Sequence, residues 1–184
     1  MSYSVDSATA KTQQWLEKII VANNFCPFAK KEMVNDRIHY YATEHHKISK
    51  VLDDLVVQCD YLQQQPAIET TLIIFSKGFK GFEHYLDLVD AAEQCLINFG
   101  YDGVFQLASF HPDYYFDGQA FDDASNYTNR SPLPILHLLR EASIEKVLTL
   151  YQEPEKIPEN NIALARIKGS DFFQQILTKI NRDQ

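Results

Sequence analysis

Three titratable side chains from separate parts of the chain have the chemistry of an enzyme site: Cys26, His111 and His137. Cys26 precedes Pro27, and because proline is favoured at the first position of a helix, Cys26 is expected to be the N-cap of a short helix. Unpaired N–H groups and the helix dipole at such a position lower the pKa of a thiol. The pattern therefore predicts a nucleophile, a redox group or a soft metal ligand. The alternative is a small apolar side chain packed between the two neighbouring phenylalanines.

His111 and Asp113 directly follow a predicted strand at 104–110, with the sequence VFQLASF. A histidine that leaves a buried strand into a loop is well placed for acid–base catalysis or metal ligation, and Asp113 could orient its ring. The alternative is a structural turn at Pro112 in which the Asp113 side chain accepts hydrogen bonds from backbone N–H groups.

His137 and Glu141 are four residues apart on a helix predicted at 131–142, so we expect them to share one helical face. Together with His111 they would form a site for a divalent metal, with Cys26 or an aspartate as a further ligand. The alternative for the pair is a hydrogen-bonded contact or a solvated helical face. The spacing is not that of an HExxH motif.

The segment between the two histidines is a long loop that is polar and rich in Tyr and Phe. Loops of this length are usually functional or disordered, and the aromatic content argues against disorder. We expect Asn129, Arg130, Arg140 and Tyr114 to bind substrate, with the two arginines holding an anionic group. The alternative for Arg130 is an ion pair with an aspartate of the same loop.

The elements that would position these residues alternate along the chain. Helices are predicted at 9–24, 44–65, 82–99, 131–142, 144–151 and 170–180, and strands at 37–43, 69–76 and 104–110. This order predicts an α/β fold, with a small central sheet of about three strands, at least partly parallel, flanked by helices and followed by a helical C-terminal part. If the strands are parallel, the polar groups that follow them at 44–46, 76–78 and 111–113 share one edge of the sheet.

Composition narrows the class of protein. The 184 residues, 45% of them apolar, favour a single globular domain at 1–184. No apolar run is long enough to cross a bilayer, and the first residues lack the pattern of a secretory signal, so we expect a cytoplasmic protein that does not bind membranes. A net charge of −8 disfavours nucleic-acid binding. Three cysteines without a CxxC pair argue against disulfides, and Cys59 and Cys95 fall on apolar helical stripes typical of a core.

Several long motifs resemble a bacterial family classed as a domain of unknown function, number 1415. They are NNFCPFAK, VFQLASFHPDYYFDG and DDASNYTNRSPLPILHLLRE. The resemblance extends from the first helix to about residue 151. It implies that Cys26, His111, Asn129, His137 and Arg140 lie in family motifs. The family has no established activity, so the resemblance implies no substrate, cofactor or mechanism.

Two functions are compatible with these patterns. The first is an enzyme, a hydrolase or group-transfer enzyme for a small polar or anionic molecule. In it, Cys26, His111, Asp113 and His137 would be catalytic, with or without a divalent metal. The second is a non-catalytic module that binds a ligand or protein through the aromatic loop at 113–131. A third possibility is that the loop has no such function and only covers the sheet, with its polar groups satisfying each other. Convergence of the cysteine and the two histidines around one cavity would favour the enzyme. The sequence leaves the oligomeric state open.

Overall fold

The structure, a computed structural model, describes residues 3–150 and 152–182. It confirms the α/β class with a partly parallel sheet flanked by helices and a helical C-terminal part. The sheet has four strands in the order β1-β2-β4-β3 rather than about three. The strands are β1 (Ile38–Thr43), β2 (Thr70–Phe75), β3 (Phe105–Phe110) and β4 (Ile135–Arg140).

Seven α-helices surround this sheet in the described part of the chain. They are α1 (Val5–Trp15), α2 (Ala29–Val34), α3 (Ile48–Gln64), α4 (Phe82–Asn98), α5 (Glu141–Leu148), α6 (Ile157–Lys168) and α7 (Ser170–Arg182). A π-helical turn at Leu16–Val21 continues α1. Helix α6 was not predicted from the sequence, because prolines at 154 and 158 interrupt its pattern. Pro158 lies in the first turn of α6, where a missing N–H costs nothing. Residue 151, the end of the helix predicted at 144–151, lies outside the described residues.

The prediction of a helix at 131–142 is wrong, because this segment contains strand β4. It lies between β2 and β3 and is antiparallel to both, pairing Leu72 with His137 on one side and Ala108 with His137 on the other. Both neighbouring strands form hydrogen bonds with the backbone of β4, and both of its faces are covered. A short run of Ile and Leu is compatible with such a buried strand as well as with a helix. His137 and Glu141 therefore do not share a helical face, since one lies within the strand and the other begins α5.

The strands β1, β2 and β3 run in the same direction, because β1 pairs parallel to β2 and β4 is antiparallel to its two neighbours. Their carboxyl ends therefore share one edge of the sheet, as expected for parallel strands. The residues that follow them, including His45, Ser76 and His111, lie along this edge.

Each face of the sheet has its own hydrophobic core. Helices α3 and α4 cover one face around buried residues such as Leu55 and Leu88. Cys59 and Cys95 are buried in this core, which confirms their predicted packing role. On the other face α1, α6 and α7 pack around Trp15 and other buried side chains. No helix of the described residues is long and apolar enough to cross a membrane.

Candidate functional site

Cys26 lies in the turn between the π-helical segment and α2. Helix α2 begins at Ala29 with Phe28 as its N-cap, so the prediction that Cys26 is the N-cap is wrong. The N–H groups of Phe28 and Ala29 still donate to the thiol, which lowers its pKa, but burial has the larger effect and raises the pKa above its ordinary value of 9.0. The thiol is therefore protonated near neutral pH, and it needs a base to act as a nucleophile.

His137 has a defined tautomer. The Thr70 hydroxyl donates its only proton to the carbonyl oxygen of Leu138 at 2.6 Å. The contact of 2.6 Å between Thr70 Oγ1 and His137 Nε2 must then be a hydrogen bond that the imidazole donates. This leaves a lone pair on Nδ1, for which the described residues provide no hydrogen-bond partner. Burial lowers the pKa of His137 to about 4, so the ring is neutral near neutral pH and is a weaker base than an ordinary imidazole.

Cys26 and His137 line the same narrow cavity of about 40 Å³, which we call the sheet cavity. It lies between the sheet and the helical segments above it. Its lining residues are mostly apolar, and the polar ones are Cys26, Glu32, Thr70 and His137. The volume is enough for about three water-sized groups.

Glu32 adds a buried carboxylate to the sheet cavity. Glu32 is only 3% exposed, and its Oε2 atom has no hydrogen-bond partner among the described residues. Arg37 Nη1 lies 3.3 Å from this oxygen, which makes an ion pair by distance without hydrogen-bond geometry. Arg37 also pairs with Glu69, so its charge is shared between two carboxylates. Glu32 Oε2 therefore retains the capacity to accept a further hydrogen bond.

Cys26 also lines a second and larger space, an open cleft of about 470 Å³ over the edge strand β3, which we call the edge cleft. Its walls come from the long loop, from α6 and from the Cys26 turn. Its lining side chains are mainly apolar, with the polar atoms of Gln106, Thr128, Asn129 and Asn161, and Cys26 is its single ionisable lining residue in the part of the chain that is described. Asn161 donates to the Phe25 carbonyl at 2.7 Å and so holds α6 against the Cys26 turn.

His111 lines neither of these spaces. Its side chain is fully buried, with Nε2 donating to the Phe79 carbonyl at 2.8 Å and Nδ1 accepting from the Asp113 N–H at 3.0 Å. It packs against Phe82 and Tyr85, on the α4 side of the sheet. Both ring nitrogens are occupied within the fold, and burial lowers the pKa of His111. The structure therefore brings together two of the three predicted groups, Cys26 and His137, and leaves His111 apart.

The predicted metal site is not formed. Within residues 3–150 and 152–182, no group of three or more His, Cys, Asp or Glu side chains is arranged to hold a metal ion. His111, His137 and Glu141 belong to a loop, a strand and a helix start, respectively, and each makes different contacts.

The two arginines expected to hold an anion are used by the fold. Arg130, 6% exposed, donates to the carbonyls of Tyr114 and Phe121, and its guanidinium lies 4.5 Å from the centre of the Phe121 ring. Arg140 donates to carbonyls at the end of α3 and to that of Ile68, just beyond this helix, at 3.1 Å. Neither lines the sheet cavity or the edge cleft, so the structure does not support an anion site made of these arginines.

The remaining loop residues also contribute mainly to its structure. Asn129 lines the edge cleft, and its amide donates to the Ser109 carbonyl at 3.2 Å. Tyr114 packs edge-on against Phe82, and burial raises the pKa of its hydroxyl. Asp113 is exposed, and only its backbone N–H contacts His111. The ion pair expected for Arg130 is absent from its described contacts.

Several site residues were missed from the sequence. Thr70 reads as an ordinary strand residue, and Glu32 as a surface position of a short helix. Their roles arise because β2 pairs with β4 and because α2 folds over the sheet, and no local pattern reports either contact. The π-helical turn above the cavity, which contributes Leu16 and Ile20 to its lining, is the kind of irregularity that often occurs at functional sites.

Comparison with known proteins gives one match. A search of curated proteins finds no match, and a search of solved structures finds none. The family model described as "Protein of unknown function (DUF1415)" matches residues 7–175, which include Cys26, Thr70, His137 and the edge cleft. Since the match covers nearly the whole chain, the protein belongs to this family, DUF1415.

Proposed function

We propose that the protein is a cysteine-dependent hydrolase or group-transfer enzyme, with Cys26 as nucleophile and His137 as general base. The observation that carries this proposal is that the two side chains, 111 residues apart in sequence, line one narrow cavity. A protonated thiol and a neutral imidazole with an available lone pair that line the same cavity are the groups that base-assisted attack requires. The family assignment is compatible with this activity without indicating it.

Thr70 acts as the positioning residue for His137. Its hydroxyl oxygen accepts the Nε2–H proton and so leaves the lone pair on Nδ1. In known triads a third group fixes the tautomer of the base in the same way. The apolar walls around the cavity keep the imidazole neutral, so the base is available from weakly acidic pH upwards.

The edge cleft supports a small, uncharged substrate. Its volume of about 470 Å³ lies within the range of small-molecule sites, and it opens beside Cys26. Apolar walls with amide and hydroxyl groups suit a substrate that combines apolar surface with a few hydrogen-bonding atoms. We therefore replace the expected anionic substrate with an uncharged one, because Arg130 and Arg140 are occupied elsewhere.

Acylation by 4-nitrophenyl acetate tests the nucleophile and the base. We expect one acetyl group on Cys26, located by peptide mass mapping, and a fall in its rate of about 100-fold in His137→Gln. His39→Gln is the matched control, since His39 is also a half-buried strand histidine but lines neither the sheet cavity nor the edge cleft. Acetyl groups on Cys95 or on lysines alone, or equal rates in His137→Gln and the wild type, would refute the proposal.

A second candidate is a non-catalytic binding protein that uses the same cleft. The observation that favours it is the raised pKa of Cys26, which reduces the reactivity of the thiol. Some of the loop's aromatic side chains are not free to bind a partner, since Tyr127 is buried against Phe173, whereas Phe121 remains exposed with Arg130 over one face of its ring. Slow acetylation of Cys26 that does not depend on His137, together with ligand-induced thermal stabilisation, would favour binding alone.

A further inference from the structure

Hydrogen-bonding capacity in the sheet cavity is unbalanced towards acceptors. Glu32 Oε2 accepts no hydrogen bond from the described residues, although Arg37 Nη1 lies 3.3 Å away, and His137 makes its hydrogen bond through Nε2 rather than Nδ1. The thiol of Cys26 can donate to one acceptor only. These acceptors suit a small group that carries N–H.

Size and position define which part of a substrate that group would be. The sheet cavity has space for about three water-sized groups, whereas the edge cleft is roughly ten times larger. Cys26, Ile20 and Phe110 line both spaces and therefore lie at their junction. A carbonyl carbon next to the Cys26 sulfur would place the larger part of its molecule in the cleft and its smaller substituent in the cavity.

We propose that the substrates are primary carboxamides, with the acyl part in the edge cleft and the departing NH₂ group in the sheet cavity between Glu32 and His137. This inference rests on the function proposed above, and it adds the class of substrate and a role for Glu32. The cleft itself offers carboxamide and hydroxyl side chains, which match an uncharged acyl part.

The reaction is a hydrolysis that consumes one water. The Cys26 sulfur forms a bond to the carbonyl carbon, and His137 Nδ1 takes the thiol proton. The C–N bond breaks as this proton passes to the nitrogen, which leaves as ammonia. Water then attacks the S-acyl carbon with His137 again as base, the C–S bond breaks, and the thiol and a carboxylic acid are released.

Glu32 has a different task from that of His137. Its carboxylate accepts an N–H of the substrate and orients the departing nitrogen towards Nδ1. It is not needed when the leaving group is nitrophenolate, which has no N–H. The two kinds of substrate therefore separate the role of Glu32 from the reactivity of Cys26.

Butyramide and benzamide, each compared with its N,N-dimethyl counterpart, test the substrate class. We expect ammonia release from the two primary amides, and turnover of the dimethyl amides at least 100-fold slower, because they lack N–H donors. No ammonia release, with Cys26 still acetylated by 4-nitrophenyl acetate, would overturn the inference and leave the proposed function standing. No acetylation of Cys26 would overturn both.

Glu32→Gln tests the residue. We expect ammonia release from butyramide to fall at least 10-fold, and by a larger factor than acetylation by 4-nitrophenyl acetate. Glu69→Gln is the matched control, because Glu69 also pairs with Arg37 but does not line the cavity. An equal loss of both reactions in Glu32→Gln, or equal loss of ammonia release in the two variants, would refute the role of Glu32.

Discussion

At the scale of single residues, the pKa of His137 differs between the folded and unfolded chains in the pH range below neutrality. Burial lowers its pKa from 6.5 to about 4, so the unfolded chain binds more protons than the folded one between these two values. Stability is therefore lost as pH falls from about 6.5 towards 4. The shift corresponds to about 3 kcal/mol, at 1.36 kcal/mol per pKa unit.

His137→Gln is expected to reduce this pH dependence, since glutamine does not titrate. Urea unfolding at pH 7 and at pH 4.5 measures it. The wild type should lose more unfolding free energy over this interval than the variant, and the variant should keep the part that arises from His111, whose pKa burial also lowers. Equal losses in the two proteins would contradict the assignment.

Thr70 offers a second prediction at this scale, because it sets the tautomer rather than the charge of His137. In Thr70→Val the imidazole loses its acceptor, and we expect ¹⁵N NMR shifts to report a mixture of Nδ1–H and Nε2–H forms. Thr70→Ser keeps the hydroxyl and should restore the Nε2–H tautomer. We expect Cys26 acetylation to follow the tautomer. A valine variant with a pure Nε2–H ring would refute the positioning role.

Part of the candidate site could be predicted from the sequence. Cys26 and His137 have side chains that are informative in any context, and both were identified from the sequence. Thr70 and Glu32 have side chains that do not by themselves indicate a site. The role of Thr70 depends on its contact with His137 in the neighbouring strand, and that of Glu32 depends on its burial in the folded protein. His111 has the same side-chain chemistry as His137, but both of its nitrogens are occupied, one by the Asp113 N–H within the same turn and one by the distant Phe79 carbonyl, and only the folded structure reveals this.

At the scale of elements, β4 is the strand that local sequence patterns failed to predict. Ser131 and Pro132 imitate a helix start, and the leucines that follow favour a helix by propensity. The Ser131 hydroxyl instead donates to the Leu133 carbonyl, and the chain then enters the sheet between two strands. By contrast, α3, α4, β2 and β3 were predicted within a few residues, because their period and boundaries agree with their final burial.

Arg140, which the sequence suggested as a substrate-binding residue, instead forms hydrogen bonds with carbonyls at and beyond the end of α3. The last carbonyls of a helix have no partners within it. Arg140 donates to the carbonyls of Leu62 and Gln65 at the end of α3 and to that of Ile68 just beyond it. The guanidinium thus joins the end of β4 to the end of α3.

Arg140→Ala is expected to destabilise the fold by about 2 kcal/mol, since several charge-assisted hydrogen bonds are lost at once. Arg140→Lys keeps the charge without the planar fork and should recover only part of this loss. Urea denaturation measures both, and acetylation of Cys26 in the folded variants should match the wild type. A variant of normal stability with impaired acetylation would instead support the substrate-binding role expected from the sequence.

At the scale of the whole molecule, the site depends on segments that are far apart in the chain. The Cys26 turn, the long loop and the C-terminal helices meet on one face of the sheet, where Phe173 of α7 is fully buried. Its ring lies 5.8 Å from that of Phe25 and 5.4 Å from that of Tyr127, between centres. Trp15 strengthens the same arrangement by donating to the Arg130 carbonyl at 2.8 Å.

Phe173→Ala should therefore act on the site as well as on stability. Truncating a fully buried phenylalanine costs about 3–5 kcal/mol, and the space left by the ring removes the support of both the Cys26 turn and the long loop. Phe172→Ala is the matched control, because this neighbouring ring is 39% exposed. Calorimetry measures the stability, and hydrogen exchange of the folded variants measures the two segments. We expect faster exchange at 25–28 and 124–130 in Phe173→Ala alone. Unchanged exchange in both segments would mean that α7 stabilises the fold without supporting the site.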